Sequence, residues 1–457
     1  MSASFLHERR AGVLLHPSSL PSGRLDGDAE RWLDLLADAG LGVWQMLPLG
    51  VPQKDLSPYQ CLSAFALNPA LFIETDPATI DPADYESWTR SQQHWLVDFA
   101  HFVVIKEQQG CAPWYAWPEA LRLRNLDAIA AFVEQNGDAI DEVCRQQYLY
   151  HRRWREIRAH AQERGILLFG DMPIFIAYDS ADIWANPDQF LLNDEHKPEF
   201  VAGVPPDYFS ENGQRWGNPH FDWEQMGLDG YGWWMRRFEH HFDCFDIVRI
   251  DHFRGLEAVW MIPATSSTAV EGFWQETPGD ELLTTLERRI GELPLVAEDL
   301  GIITPEVVAL RKKFGLPGMA VLQFGFDEFE DNPHKPKNIH ADTVVYTGTH
   351  DNDTTLGWYL SLDPPVRQHV REMLGMTEEE DIVDTMIDTA LESRGCLAIV
   401  PMQDMLHLDG DSRMNRPGTV EDNWRWRFRW EQLPAGFSVS LKQRLAAAGR
   451  TGVKKYE

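Results

Sequence analysis

The fold is constrained most by eight short apolar runs that alternate with helical patterns. The runs are almost continuous in Val, Ile and Leu, which is typical of parallel strands buried on both faces. Amphipathic segments at Asp28–Ala39, Ile140–Arg164 and Thr385–Arg394, and a helix opened by Thr304 and Pro305, separate them. This alternation predicts an α/β fold, a (β/α)₈ TIM barrel. The runs are Gly12–His16, Gly42–Pro48, Ile166–Asp171, Phe245–Asp251, Pro294–Asp299, Met319–Phe324, Thr343–His350 and Cys396–Asp404.

Two gaps between these runs are too long for ordinary strand-to-helix connections. Residues 49–165 separate the second run from the third, and residues 172–244 separate the third from the fourth. Both must leave from the C-terminal face of the barrel, where active sites of this fold are built. We therefore expect one catalytic barrel over residues 1–457, with large insertion subdomains at about 50–140 and about 175–243. Within the second, Val204–Trp223 is rich in Pro, Gly, Asn and aromatic residues, which predicts an ordered loop over the barrel mouth.

Composition narrows the class of partner. The chain has 41 Lys and Arg against 71 Asp and Glu, a net charge of −30, which argues against nucleic acid or an anionic membrane as a partner. No apolar run is long enough to span a membrane, and the first residues lack the apolar core of a signal peptide. The five cysteines are scattered and form no C-x-x-C pair, so neither a disulfide framework nor a zinc site is expected. A cytoplasmic enzyme fits these features.

Charged side chains follow several of the predicted strands. The fourth run ends in Arg249 and Asp251, which share one face of the strand because they are two residues apart. Glu298 lies at the end of the fifth run, and the seventh run ends in His350, which Asp351 follows. Acids at strand ends often only cap the next helix. Acids after three separate strands, with an arginine beside one of them, indicate instead that the groups converge at the barrel mouth for a chemical task.

Such a cluster of carboxylates suits two kinds of chemistry. It could bind Mg²⁺ or Mn²⁺, as in a metal-dependent sugar isomerase, or it could carry out glycosyl transfer with one acid as nucleophile and another as proton donor. The 18 tryptophans favour a sugar ligand, since aromatic rings stack on the apolar faces of sugars. The sequence has no P-loop, no G-x-G-x-x-G after a strand and no G-x-S-x-G, so nucleotide and serine-hydrolase chemistry have little support.

Four segments resemble the strand-end regions of the α-amylase clan: GDMPIFIAYDSADIW, VRIDHFRG, VAEDLG and GTHDNDT. Further segments are similar to one branch of that clan, the 4-alpha-glucanotransferases of glycoside hydrolase family 77, also called amylomaltases or disproportionating enzymes. These segments are LLHPSSLPSG, WQMLPLG, SPYQCLSAFALNP, ENGQRWGNPHFDW and the C-terminal QDML, RMNRPGT and NWRWR. The resemblance covers nearly the whole chain and implies a TIM barrel that transfers α-1,4-glucan segments.

The resemblance also implies catalytic roles for the residues at the strand ends. Asp251 corresponds to the nucleophile that forms a covalent glycosyl-enzyme, and Glu298 to the general acid/base. Asp351 corresponds to the third carboxylate, which binds sugar hydroxyls. Arg249 is expected to keep Asp251 ionised, and His350 to hydrogen-bond the sugar.

The family implies further contacts between aromatic and amide side chains and the glucan. The expected substrates are maltooligosaccharides and related α-1,4-glucans, with no cofactor and no metal, and the protein is expected to be a monomer or a homodimer. A hydrolase using the same acids, an inactive glucan-binding barrel and a metal-dependent isomerase are the alternatives. The further substrate-binding candidates are Tyr59, Gln214, Trp216, Asn218 and Asn415.

Overall fold

A computed structural model describes residues 8–73, 75–206 and 210–450 of the chain. Residues 451–457 lie outside this part of the chain, as do 207–209 within the predicted loop Val204–Trp223. The strands within the described part, in chain order, are β1 Arg10–Leu14, β2 Val43–Gln45, β3 Leu167–Pro173, β4 Phe200–Val204, β5 Gln214–Pro219, β6 Ile247–Asp251, β7 Ala258–Pro263, β8 Phe273–Glu276, β9 Leu295–Ala297, β10 Gly318–Val321, β11 Thr343–Tyr346 and β12 Leu397–Pro401.

Eight of these strands form a parallel sheet that curls into the predicted barrel. Its order is β10-β11-β12-β1-β2-β3-β6-β9, so the first strand of the chain pairs with the last. The strands at the two ends of this order, β10 and β9, meet where the Ala297 N–H donates a hydrogen bond to the Pro317 carbonyl at 2.9 Å. Each of the eight apolar runs in the sequence overlaps one of these strands, with ends that differ by a few residues. The TIM-barrel prediction is therefore confirmed.

Side chains alternate along the barrel strands between two apolar layers. Residues such as Phe169, Ile247 and Val296 pack together in the barrel interior, while their neighbours Leu168 and Val248 belong to the larger core outside the barrel. This period of two explains why the runs look continuously apolar, since both faces of each strand are buried. It also fixes which side chains point into the mouth where the strands end.

Helices surround the barrel and build the insertions. The predicted helix Asp28–Ala39 is present as α1, capped by Asp26 and ended by Gly40 in the left-handed region (φ 79°). The long helix starts at Leu126, well before the predicted Ile140, with a break in regular geometry at Asn136. The helices of the described residues are α1 Gly27–Ala39, α2 Pro82–Ser91, α3 Leu96–Gln108, α4 Glu119–Arg122, α5 Leu126–Glu163, α6 Ala181–Ala185, α7 Trp223–Gly227, α8 Gly232–Cys244, α9 Gly279–Ile290, α10 Pro305–Lys313, α11 Thr355–Ser361, α12 Pro364–Leu374, α13 Ile382–Glu392, α14 Met402–Met405 and α15 Phe437–Ala447.

A second sheet lies outside the barrel and was not predicted. It is antiparallel, has the order β5-β4-β7-β8, and joins the insertion before β6 to the connection after it. Val201 and Ile262 pair across β4 and β7 and share a small apolar cluster with Ala269. The predicted loop Val204–Trp223 therefore contains the strand β5, which carries the motif QRWGNP.

The opposite end of the barrel is closed by the buried side chain of Arg450. Its guanidinium donates hydrogen bonds to the carbonyls of Arg10, Ser393 and Gly395 at 2.7, 3.0 and 2.9 Å. These carbonyls lie at or just before the starts of β1 and β12. One side chain from the C-terminal region thus joins the first and last strands.

Two further expectations concern cysteines and membranes. All five cysteines are free thiols in the structure. Within the described residues, none of the helices is both long enough and apolar enough to cross a bilayer.

Candidate active site

The strand ends bring an arginine and several acids to the barrel mouth. Ile247, Arg249 and Asp251 lie on one face of β6, with Ile247 in the apolar interior and Asp251 at the rim. On the neighbouring strands, Asp171 of β3 is in register with Arg249, and Glu298 follows the last residue of β9. On β6, the inward-facing positions are thus apolar inside the barrel and become polar towards the mouth, where the strand ends.

Arg249 connects two carboxylates. Its Nη1 lies 2.8 and 2.7 Å from the two carboxylate oxygens of Asp171, and its Nη2 lies 2.8 Å from Oδ1 of Asp251. The side chains of Arg249 and Asp171 are 7% and 1% exposed, whereas that of Asp251 is 29% exposed and open to the cleft. Burial alone would lower the pKa of Arg249, but the charges of Asp171 and Asp251 raise it well above its ordinary value. The arginine therefore stays charged, with its guanidinium against the Asp251 carboxylate.

Asp171 is a site residue that sequence reasoning did not single out. Burial raises its pKa, and the charge of Arg249 opposes that effect. It also accepts a hydrogen bond from the Tyr59 hydroxyl at 2.7 Å. The third apolar run ends in this acid just as the fourth ends in Asp251, so the signal used for the other strands was present here too.

Glu298 is buried and bound by backbone N–H groups, whereas Asp251 is partly exposed and paired with an arginine. Its Oε2 accepts a hydrogen bond from the His252 backbone N–H at 2.6 Å, and its Oε1 accepts one from the Leu300 N–H at 3.1 Å. Burial raises the pKa of Glu298 to about 8; Arg249 lowers it and the charge of Asp251 raises it further. The site thus holds one carboxyl paired with a cation and another that keeps its proton at neutral pH.

An aromatic group forms one wall of the site. The ring of Tyr59 stacks on His350 with centroids 5.3 Å apart and planes at 16°. Trp424 lies 6.1 Å from Tyr59 and 6.0 Å from His350. Trp424 belongs to the motif NWRWR. This motif is part of the family resemblance, but no site residue was predicted from it. Burial raises the pKa of Tyr59 well above its ordinary value, with Asp171 adding to the effect, so its hydroxyl remains a donor.

Asp351 lies at the open edge of the mouth, with its side chain 49% exposed. The Asn415 side-chain amide donates to its Oδ1 at 2.6 Å, and His350 Nε2 lies 3.4 Å from its Oδ2. Arg413 donates to the backbone carbonyl of Asp351 at 3.0 Å. The structure therefore brings together the predicted residues Asp351, His350 and Asn415.

The predicted residues of β5 occupy different environments. Trp216 meets the His252 ring edge to face, with centroids 5.0 Å apart, so it lies beside the chain that carries Asp251. Its indole N–H donates to the exposed side chain of Gln214 at 3.1 Å. Asn218 is buried, and its amide oxygen accepts a hydrogen bond from Gln60 at 3.1 Å. Asn218 therefore ties β5 to the loop of Tyr59.

The described residues contain one group of three side chains spaced to hold a metal ion, made of Asp381, Asp384 and His407. None of the mouth acids belongs to it. Arg444 lies 2.6 Å from Asp384, so a protein cation already pairs with that group.

This arrangement suits glycosyl transfer with retention. One carboxylate beside a guanidinium can attack a sugar carbon, while a neighbouring protonated carboxyl can give its proton to the leaving oxygen. Aromatic rings on two sides of the acids provide surfaces for sugar rings.

Comparison with known proteins points to the same chemistry. The family description 4-alpha-glucanotransferase of glycoside hydrolase family 77 matches residues 14–81 and 72–433. A 4-alpha-glucanotransferase of Synechocystis is 42% identical over 94% of this chain and 95% of its own, and one of Thermus thermophilus is 41% identical over 96% and 98%. The structure of an amylomaltase from Streptococcus agalactiae in complex with acarbose superposes with a TM-score of 0.93 at 31% identity, covering 97% of this chain and all of that one.

Proposed function

The chain belongs to the 4-alpha-glucanotransferases of glycoside hydrolase family 77, and on that premise we propose that Asp251 is the nucleophile and Glu298 the general acid/base of its reaction. The reaction is transfer of an α-1,4-glucan segment from a donor to the 4-hydroxyl of an acceptor through a covalent glycosyl-enzyme. The observation that supports these roles most strongly is the contrast between the two acids: Arg249 lies 2.8 Å from Asp251, while the pKa of Glu298 is raised to about 8.

In the first half of the reaction, Asp251 attacks C1 of the donor sugar as Glu298 protonates the glycosidic oxygen. The fragment on the reducing side of the cleaved bond leaves with the proton of Glu298. The other part of the donor remains bound through its C1 as an ester of Asp251. The two backbone amides on the Glu298 carboxylate hold its oxygens in place for this transfer.

In the second half, the acceptor 4-hydroxyl loses its proton to Glu298 and displaces Asp251. Formation of the ester removes the negative charge of Asp251, which is one of the causes that raise the pKa of Glu298. Arg249 and the two amides continue to lower that pKa. Glu298 is therefore a weaker acid before the ester forms and becomes easier to ionise afterwards, as its change from acid to base requires.

The other site residues are proposed to bind the glucan. Asp351, set by Asn415 and His350, accepts hydrogen bonds from sugar hydroxyls near the cleaved bond. Tyr59 and Trp216 provide aromatic surfaces. Gln214 is proposed to bind the glucan while it orients the Trp216 indole, and Asn218 ties β5 to Gln60.

The proposal extends to substrate, place and assembly. We propose maltooligosaccharides and related α-1,4-glucans as substrates, in line with the family name. A cytoplasmic location is supported by five free cysteines, which are typical of a reducing compartment. The single barrel with its insertions is proposed to act as one catalytic unit, as a monomer or a homodimer.

Incubation with maltotriose alone tests the function. A transferase yields glucose and a ladder of longer maltooligosaccharides while the total of reducing ends stays constant, because each bond broken is matched by one made. Chromatography combined with a reducing-end assay measures both. Reducing ends that rise steadily, with no product longer than the substrate, would show a hydrolase with the same acids and contradict the proposal.

A further inference from the structure

His252, the residue that follows Asp251, has an unusual backbone. Its φ and ψ are both 51°, in the left-handed region that side-chain-bearing residues adopt uncommonly. Strained conformations of this kind persist only where neighbouring contacts impose them, and they concentrate at functional sites.

The His252 N–H, at the start of this left-handed turn, points at the proposed acid/base. That N–H lies 2.6 Å from Oε2 of Glu298. Two more backbone hydrogen bonds flank it: Glu298 donates to the Ile250 carbonyl and Phe253 donates to the Glu298 carbonyl, both at 3.1 Å. The turn after the proposed nucleophile is therefore fastened to the residue that carries the proton.

The imidazole of His252 supplies contacts that impose this conformation. It meets Trp216 edge to face at 5.0 Å and 88°, and it lies 6.5 Å from the ring of Phe175. Burial lowers the pKa of His252 to about 4, with Asp251 opposing and Arg254 and Arg249 adding to the effect, so the ring is neutral at ordinary pH. A neutral ring in contact with Trp216 can act through packing.

We propose that His252 is a positioning residue of the glucan transfer: its ring, packed against Trp216 and Phe175, holds the left-handed backbone that presents the His252 N–H to Glu298. This inference rests on the proposed function, since it concerns the proton donor and one proposed glucan-binding surface. The His252 side chain then has two separable effects: its ring supports Trp216 by packing, and it keeps the His252 N–H on Glu298.

Two substitutions separate these effects. His252→Gly removes the ring but adopts the left-handed conformation freely, so the N–H stays on Glu298. His252→Ala removes the ring and retains a Cβ, so the turn relaxes and the N–H leaves Glu298. Should the Ala variant not fold, as judged by circular dichroism, His252→Ser serves in its place because it too has a Cβ and lacks the ring. His196→Gly is the matched control, since His196 also has a left-handed backbone (φ 59°) and lies 6.3 Å from Trp114, outside the site.

The measurements are kcat and KM for maltotriose, the pH dependence of kcat/KM, and kcat/KM for fluoride release from α-maltosyl fluoride. Fluoride leaves with little need of a proton, so this donor reports attack by Asp251 with less dependence on Glu298. Both substitutions at position 252 are expected to raise KM for maltotriose several-fold, through Trp216. The Ala variant should in addition lose about 10-fold in kcat/KM for maltotriose relative to the Gly variant, the effect of one hydrogen bond to a charged group.

The pH profile of kcat/KM shows the direction in which the pKa of Glu298 changes. A hydrogen bond to the ionised form lowers a pKa, so its loss in the Ala variant should move the basic limb to higher pH, while the Gly variant keeps the limb of the unaltered enzyme. With α-maltosyl fluoride the Ala and Gly variants should have nearly equal kcat/KM, and His196→Gly should change none of these values.

The inference is wrong if the Ala and Gly variants share one basic limb and one kcat/KM for maltotriose, or if the Ala variant loses equally on both donors. It is also wrong if neither variant raises KM. A failure of the proposed function is distinguished separately, because it shows as rising reducing ends with the unaltered enzyme. The variant comparison then still holds, since kcat/KM reports the formation of the glycosyl-enzyme, a step that a hydrolase shares.

Discussion

Raising the pH above neutrality should stop the donor half of the reaction, because Glu298 then loses the proton that it gives to the glycosidic oxygen. Burial raises the pKa of Glu298 to about 8. A group with this pKa is about nine-tenths protonated at pH 7 and about one-tenth protonated at pH 9. The value of kcat/KM for maltotriose is therefore expected to fall nearly tenfold for each pH unit well above about 8.

Initial rates of glucose release from maltotriose at concentrations below KM, between about pH 5 and about pH 10, measure this limb. Circular dichroism at each pH separates loss of the proton from loss of the fold. Glu298→Gln is the matched variant, since it preserves the shape of the side chain and removes the titrating group. It should lower kcat/KM at neutral pH by about 10²–10⁴-fold and abolish the limb near pH 8.

The reasoning is refuted if the basic limb of the unaltered enzyme lies below about pH 6, the range of an ordinary carboxyl group. In that case burial does not protect the proton, and another group must serve the leaving oxygen. A limb that survives in Glu298→Gln would also assign the titration to a different residue.

Four further predictions concern two single substitutions, the removal of metal ions and two buried histidines. Asp251→Asn should lower turnover of maltotriose by at least about 10³-fold with an unchanged circular dichroism spectrum, and near-normal turnover would require another nucleophile. Trp216→Ala should chiefly raise the KM for maltotriose, by about 10-fold. Dialysis against EDTA should leave activity unchanged, and loss that Mg²⁺ or Mn²⁺ reverses would favour the isomerase alternative. Burial lowers the pKa of His220 and His240 to about 4, below the ordinary 6.5, so at these two positions the unfolded chain binds more protons between these values. The stability that each histidine contributes should be complete above about pH 6.5 and fall towards pH 4, by roughly 3 kcal/mol at most. Denaturant titrations of the unaltered protein and of His220→Gln and His240→Gln measure this contribution, and variants with the same pH profile as the unaltered protein would contradict it.

The barrel and the acids at its mouth could be predicted because their signals are local in the sequence. Each strand is a run that is apolar on both faces, and each acid lies at or next to the end of such a run. The residue pattern alone was therefore enough to place Asp251 and Glu298 at one end of the barrel. The two-residue period also placed Arg249 beside Asp251, and the structure has them 2.8 Å apart.

The second sheet could not be predicted in the same way. Its strands are short, and β8 consists of exposed residues, so it lacks the pattern of a buried strand. Their pairing depends on partners far along the chain, such as Val201 with Ile262 across the whole of β6. The start of α5 at Leu126 was also missed; Asn136, where the helix departs from regular geometry, lies between Leu126 and the predicted start at Ile140.

Two contributions to the site depend on geometry that sequence does not reveal. The hydrogen bond from the His252 N–H to Glu298 accompanies a left-handed backbone at His252, which no sequence pattern announces. Trp424 meets Tyr59 and His350 only because the C-terminal segment folds back over the mouth. Asp171 differs from both, since it ended a predicted strand and could have been named from the same pattern as Asp251.

The pairing of the first strand with the last determines when this protein can fold as it is made. β1 needs β12 on one side, and the carbonyls at that junction need the guanidinium of Arg450. While a ribosome is still adding the second half of the chain, β1 has one unsatisfied edge, and the ring of strands stays open. The barrel therefore closes only after residue 450 has emerged, so a nascent chain must keep its early strands from pairing wrongly through most of its synthesis.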